Sequence, residues 1–188
     1  MAKAAAFVVL SMSLTAAAFV FTGGDACEDA ASMSAVDACK QAGTGAALAE
    51  LCAATLGTSP EPKEETTFVL AAANAAGRSY VDTLQDIVKL MLGEPKVSDE
   101  MRKACDACTG NYMDARDAMN DALRHLTSCS LPELIIDFPR AVSAVDDCAT
   151  KVLRAEGMSP LYNMIIGDRD LSMLGLRLTV MLLHPPPN

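Results

Sequence analysis

The sequence predicts an all-α protein, an up-and-down four-helix bundle preceded by a short helical hairpin. Three observations carry this. Hydrophobic residues fill 51 % of the 188 positions, yet aromatics fill only 4 % and Trp is absent. Ala, Leu and Met, which favour helices, dominate the apolar set in place of the Val, Ile, Tyr, Phe and Thr that strands prefer. Long segments repeat apolar or small residues in steps of three and four, and Gly, Pro and Ser punctuate them where helices stop and start. The length suits one domain with its own core.

The first element is a leader. Met1-Ala2-Lys3 is short and positive, Ala4 to Phe21 is apolar, and Thr22-Gly23-Gly24-Asp25-Ala26 follows. This reads as a secretory signal peptide over 1–26, cut after Ala26 or, alternatively, after Ala18. A signal anchor retained in the membrane is the competing reading. The mature domain is then 27–188, and a secreted destination permits disulfides. No Asn-x-Ser/Thr sequon is present.

Residues 34–42 and 46–56 form two short helices around Gly43-Thr44-Gly45. Pro60 and Pro62 make 58–63 a loop, since neither fits a helix interior. A long helix follows over 64–92, with Leu70, Ala73, Gly77, Tyr80, Leu84, Ile87 and Met91 as its buried seam. Gly93 and Pro95 end it, and Ser98 caps the next helix, with Asp99 and Glu100 at its dipole-favoured start. That helix, 99–128, lines up Cys105, Cys108, Tyr112, Ala115, Met119, Ala122, Leu126 and Cys129 on one side. Arg102, Asp106, Asn111, Asp114, Asp117, Asp121 and Arg124 occupy the other. The fourth segment spans 131–154, with a kink or break expected at Pro139. Gly157 to Pro160 reads as a turn, and the last helix as 168–184 with Leu171, Leu174, Leu178 and Met181 inward.

Acidic residues outnumber basic ones 24 to 15, a net charge of −9. Neither nucleic acid nor an anionic membrane surface attracts such a field, so neither is an expected partner. The two histidines, His125 and His184, both sit at helix ends, where interaction with the helix dipole explains them better than general-base chemistry. No Gly-x-Ser-x-Gly, His-Glu-x-x-His or phosphate loop occurs. Cys105-Asp106-Ala107-Cys108 has redox-like spacing without a thioredoxin-type surround, and the cysteines lack zinc-site spacing. No catalytic residue, metal or cofactor is expected. The Asp114/Asp117/Asp121 line reads as a solvated face that could steer a basic partner.

Ala38-Cys39-Lys40 with Leu51-Cys52, Cys108-Thr109-Gly110-Asn111-Tyr112-Met113-Asp114-Ala115, and Ala141 to Cys148 together resemble the plant invertase/pectin methylesterase inhibitor family. That family shows a Cys-x-x-x-Tyr-x-x-Ala helix and a further Cys 40 positions on, the interval from Cys108 to Cys148 here. Ser159-Pro160-Leu161 and the Leu-rich final helix are also similar, so the resemblance covers about 34–184. It implies two disulfides, Cys39–Cys52 and Cys108–Cys148. It also implies a secreted, non-enzymatic inhibitor, expected to be a monomer, that covers a cell-wall enzyme in a 1:1 complex. Pectin methylesterase is the expected target and acid invertase the alternative, mostly from the family's make-up; invertase inhibitors of the family carry Pro-Lys-Phe, and this chain has only Pro95-Lys96-Val97 in a different context. The apoplast is the expected location, with the vacuole as alternative.

Cys27, Cys105 and Cys129 are left over. Either Cys105 and Cys129 are small buried hydrophobes, or one pairs with Cys27, or one bonds another molecule. Pro139 and Ala144-Val145-Asp146-Asp147 depart from the family pattern, so a non-inhibitory binding module of the same fold stays open. A helical lipid-binding protein is the third reading.

Overall fold

The computed structural model describes residues 27, 30–43, 45–93 and 96–184. The signal peptide expected over 1–26, Pro95 and the closing Pro185–Pro187 lie outside these residues. The elements, in order, are β1 (Ser32–Met33), α1 (Ala35–Ala42), α2 (Ala46–Leu56), β2 (Lys63–Glu64), α3 (Glu65–Leu92), α4 (Asp99–Thr127), a 3-10 turn (Leu131–Glu133), α5 (Leu134–Glu156) and α6 (Pro160–Leu183).

Helices α3 to α6 form the bundle. Each packs on its sequence neighbour, and α6 closes the ring against α3. This is the up-and-down arrangement that short connections enforce. The α1–α2 hairpin leans on α6 and α3. The one departure from all-helix order is small: β1 pairs antiparallel with β2, Ser32 opposite Glu64 and Met33 opposite Lys63. These four residues stitch the segment before α1 to the entrance of α3.

The ends of α3 and α4 lie where local chemistry puts them. Ser98 accepts a hydrogen bond from the Met101 amide at 3.1 Å, holding the first turn of α4. The buried face of α4 runs through Cys105, Cys108, Tyr112, Ala115, Met119, Ala122 and Leu126 as the periodicity predicts.

Three expectations are corrected. On α3 the seam passes through Phe68, Val69, Ala72, Ala73, Ala76, Tyr80, Thr83 and Ile87, leaving Leu70 exposed. So Ala- and Thr-rich a helix offers two frames with steps of three and four, and packing chooses. Helix α5 runs unbroken through Pro139. Pro139 and Ile135, whose carbonyl loses its partner, are both exposed, so water can satisfy that carbonyl. Helix α6 begins at Pro160, eight residues before the expected Asp168. Ser159 is its N-cap, accepting from the Tyr162 amide at 3.2 Å, and Pro160 takes the first helical position, where no amide is needed.

The core contains many small side chains, and one contact shows why. A Cβ on Gly175 of α6 would lie 2.1 Å from the ring of Phe138 on α5. Glycine there lets the buried ring press against the backbone of the neighbouring helix.

Candidate functional site

The cysteines pin the elements to one another. Cys39 of α1 and Cys52 of α2 are bonded, with Cα atoms 5.5 Å apart. Neither helix is long enough to persist alone. Cys108 of α4 and Cys148 of α5 are bonded with Cα atoms 4.8 Å apart, joining two bundle helices near their middles. All four residues are buried.

A third bond joins Cys27 to Cys129 across 102 residues of sequence. The expected count of two disulfides is therefore three. Cys129 is not a buried hydrophobe on the α4 seam. The helix ends at Thr127, so the next step of the periodicity falls on an exposed turn, where Cys27 reaches it. Cys105 is the free, fully buried thiol, and burial pushes its pKa up, with Asp106 and Glu156 adding to the shift.

At the heart of the bundle, periodicity hides a polar hub. Asp168 of α6 is 1 % exposed. Its carboxylate accepts from Tyr112 of α4 at 2.5 Å, from Thr83 of α3 at 2.7 Å and from Ser79 of α3. Ser172 bonds the Asp168 carbonyl at 2.7 Å and meets the Tyr80 hydroxyl at 2.5 Å. The Tyr80 and Tyr112 rings stand edge to face with centroids 5.5 Å apart. Burial raises the Asp168 pKa; the Ser79, Tyr112 and Thr83 hydroxyls oppose that, and Asp82 adds to it. Burial also holds both tyrosines protonated well beyond the usual range. The signal was present in the sequence, since Leu161, Ile165, Asp168, Ser172 and Gly175 step by four, three, four and three. It was lost by starting α6 at Asp168.

The α4–α5 face is laced on its outside. His125 Nδ1 lies 2.7 Å from Asp137 Oδ2, so this histidine, in the last turn of α4, also braces the start of α5. Asp121 takes Arg124 at 2.5 Å and Arg140 of α5 at 3.1 Å. Asp121 is thus an interhelical brace more than part of a solvated line, while Asp114 and Asp117 stay exposed. Asn111 donates to the Ala144 carbonyl across the two helices at 2.8 Å. His184 caps α6 and is exposed.

This chemistry is architectural. Thr83 and Tyr112, which donate to Asp168, are buried and Ser79 is half-buried, so the carboxylate ties α3, α4 and α6 together inside the bundle. Among the described residues, the His125 imidazole has one hydrogen-bond partner, Asp137. Among them too, no group of three metal-ligating side chains converges, and no helix is long and apolar enough to cross a membrane. What the fold offers outward is a stiff helical surface.

A search of curated protein sequences returned no significant match. Among solved structures, the chain is similar to a mutant form of a pectin methylesterase inhibitor from Arabidopsis. The TM-score is 0.68 at 18 % identity, covering 82 % of this chain and 99 % of that one. That likeness establishes the fold. The sequence profile of the plant invertase/pectin methylesterase inhibitor family matches residues 33–166, a span from the short strand before α1 into the first turns of α6. By that match the chain belongs to the plant invertase/pectin methylesterase inhibitor family, a family of protein inhibitors rather than enzymes.

Proposed function

We propose that this chain is a secreted, monomeric protein inhibitor that blocks pectin methylesterase by forming a 1:1 non-covalent complex in the plant cell wall. Family membership over residues 33–166 carries the proposal. The leader-like 1–26 segment supports export, which in turn suits a chain with three disulfides. The physics of the bundle supports the mode of action. Helices already fixed by disulfides and a buried polar hub lose little conformational entropy on docking, so more of the contact energy appears as affinity. The net charge of −9 speeds encounter with a basic target surface.

The test is titration of the purified mature protein into separate pectin methylesterase and acid invertase assays, at acidic and neutral pH. Loss of esterase activity saturating at one equivalent is expected. Loss of invertase activity alone would move the target to the family's other enzyme. Full activity of both at micromolar excess would overturn the inhibitor reading and leave a non-inhibitory module of the same fold.

A further inference from the structure

We propose that the Cys27–Cys129 disulfide is a thiol–disulfide exchange site for a dithiol reductant, and that opening it unlatches the N-terminal strap while the other two bonds stay closed. The three bonds differ sharply in access. Cys39 is 8 % exposed, and Cys52, Cys108 and Cys148 are 0 % exposed. Cys129 is exposed and Cys27 half-buried. A thiolate must reach a sulfur along the S–S axis to displace its partner, so only the third bond presents a target to solvent.

The backbone favours release as well. Cys27 and Cys129 both hold positive φ, 44° and 54°, the only non-glycine residues described that do so. That region is unfavourable for a side chain with a Cβ. Cys129 takes it as the left-handed residue that ends α4, where the Ser130 amide donates to the His125 carbonyl at 2.9 Å, so once the bond opens it is Cys27 that can relax to ordinary backbone.

The latch holds a specific strap. The Ala30 amide donates to the Cys27 carbonyl at 2.9 Å, and the Glu65 amide donates to the Ala31 carbonyl at 3.0 Å. Ser32 and Met33 then pair with β2. Without the bond, nothing covalent ties residues 30–33 to the end of α4, and a few backbone hydrogen bonds remain. Cys105 does not interfere. It is fully buried, and an ideal helix places it roughly 36 Å along α4 from position 129. No internal thiol attacks the latch, so it stays shut until a reductant arrives from outside.

The exchange balances. One thiolate of the dithiol attacks Cys129 Sγ; the S–S bond breaks, and Cys27 leaves as a thiolate and takes up a proton. The second thiol of the reductant then attacks the mixed disulfide and releases Cys129. The reductant is oxidised to its disulfide, and Cys27 and Cys129 each end as a thiol.

The test uses the intact secreted protein under native conditions with graded dithiothreitol, alkylation and peptide mapping. Cys27 and Cys129 are expected to be labelled at a reductant concentration about tenfold below that which opens the buried pairs. At that point hydrogen exchange is expected to speed up at the Ala30 and Glu65 amides, and to stay unchanged in the middle of α4 and α5. A Cys27→Ser/Cys129→Ser variant is expected to show the same exchange pattern without reductant. Opening of all three bonds together, prior opening of Cys108–Cys148, free thiols at 27 and 129 in untreated protein, or unchanged exchange at Ala30 and Glu65 would each overturn the proposal. The wild-type arm decides alone if the double variant is not secreted.

Discussion

Single residues set the tolerances of this bundle. Gly175 is the sharpest case, because the Phe138 ring occupies the space a methyl group would need. Alanine is the better helix former by about 1 kcal/mol, but overpacking a close-packed core costs about 3 kcal/mol at the upper end of the usual range. Gly175→Ala is therefore expected to lower stability by about 2 kcal/mol, measured as a shift of the denaturant midpoint with unchanged slope. An unchanged midpoint would mean that α5 and α6 can separate locally at little cost. At this scale the sequence was partly legible. Tyr112 and Cys108 declared themselves by spacing, since both fall on a clean apolar face. Cys27 did not, because pairing depends on where the α4 end lies in space, and no spacing rule carries that information.

Elements are decided at their ends as much as along their faces. The extents of α3 and α4 were readable because steps of three and four, a Gly-Pro stop and a Ser cap all agree, although on α3 packing chose the other frame. For α6 the same type of signal is present in Ser159-Pro160, which the reading of Gly157 to Pro160 as a turn passes over. The structure makes the cap the deciding feature. Ser159→Ala is expected to cost about 1 kcal/mol of stability, as loss of an N-cap usually does. Ser159→Asp, which can still accept from the Tyr162 amide, is expected to recover most of it. Thermal melts of the two variants provide the comparison, and equal losses in both would show that the cap is not what anchors α6. Pro139 teaches the opposite lesson, because an exposed proline near a helix start can be carried without a break.

Over the whole molecule, buried carboxyls and disulfides set the response to conditions. Asp168 and Glu65 are both about 1 % exposed, and burial raises both pKa values above the ordinary 3.8 and 4.5. The two oxygens of Glu65 have no hydrogen-bond partner among the described residues. A folded state that holds protons more tightly than the unfolded chain is favoured in acid. This contribution is fully present below the ordinary carboxyl values and is lost as pH rises through the raised folded values. Asp121, lowered chiefly by the Arg140 hydrogen bond, opposes this only in stronger acid. The melting temperature is thus expected to be higher in mildly acidic buffer than in alkaline buffer, and Asp168→Asn is expected to flatten the profile. A melting temperature that climbs from mildly acidic to alkaline pH would contradict this. For the Cys108–Cys148 bond, a separation of 40 residues gives about 4 kcal/mol in the chain-entropy model. A Cys108→Ala/Cys148→Ala variant that melts like the parent under oxidising conditions would show that the bond contributes nothing.

The α4–α5 pair is the most heavily joined part of the molecule, by the Cys108–Cys148 bond, the Asn111–Ala144 contact, the Asp121–Arg140 brace and the His125–Asp137 contact. No disulfide ends in α3 or α6, although Cys27–Cys129 closes the stretch that carries α3 onto the end of α4. When thermal fluctuation loosens the fold in stages, α6 and then α3 are expected to detach first, leaving a cross-linked hairpin as a remnant. Reassembly then begins from a template already in register, rather than from an open chain.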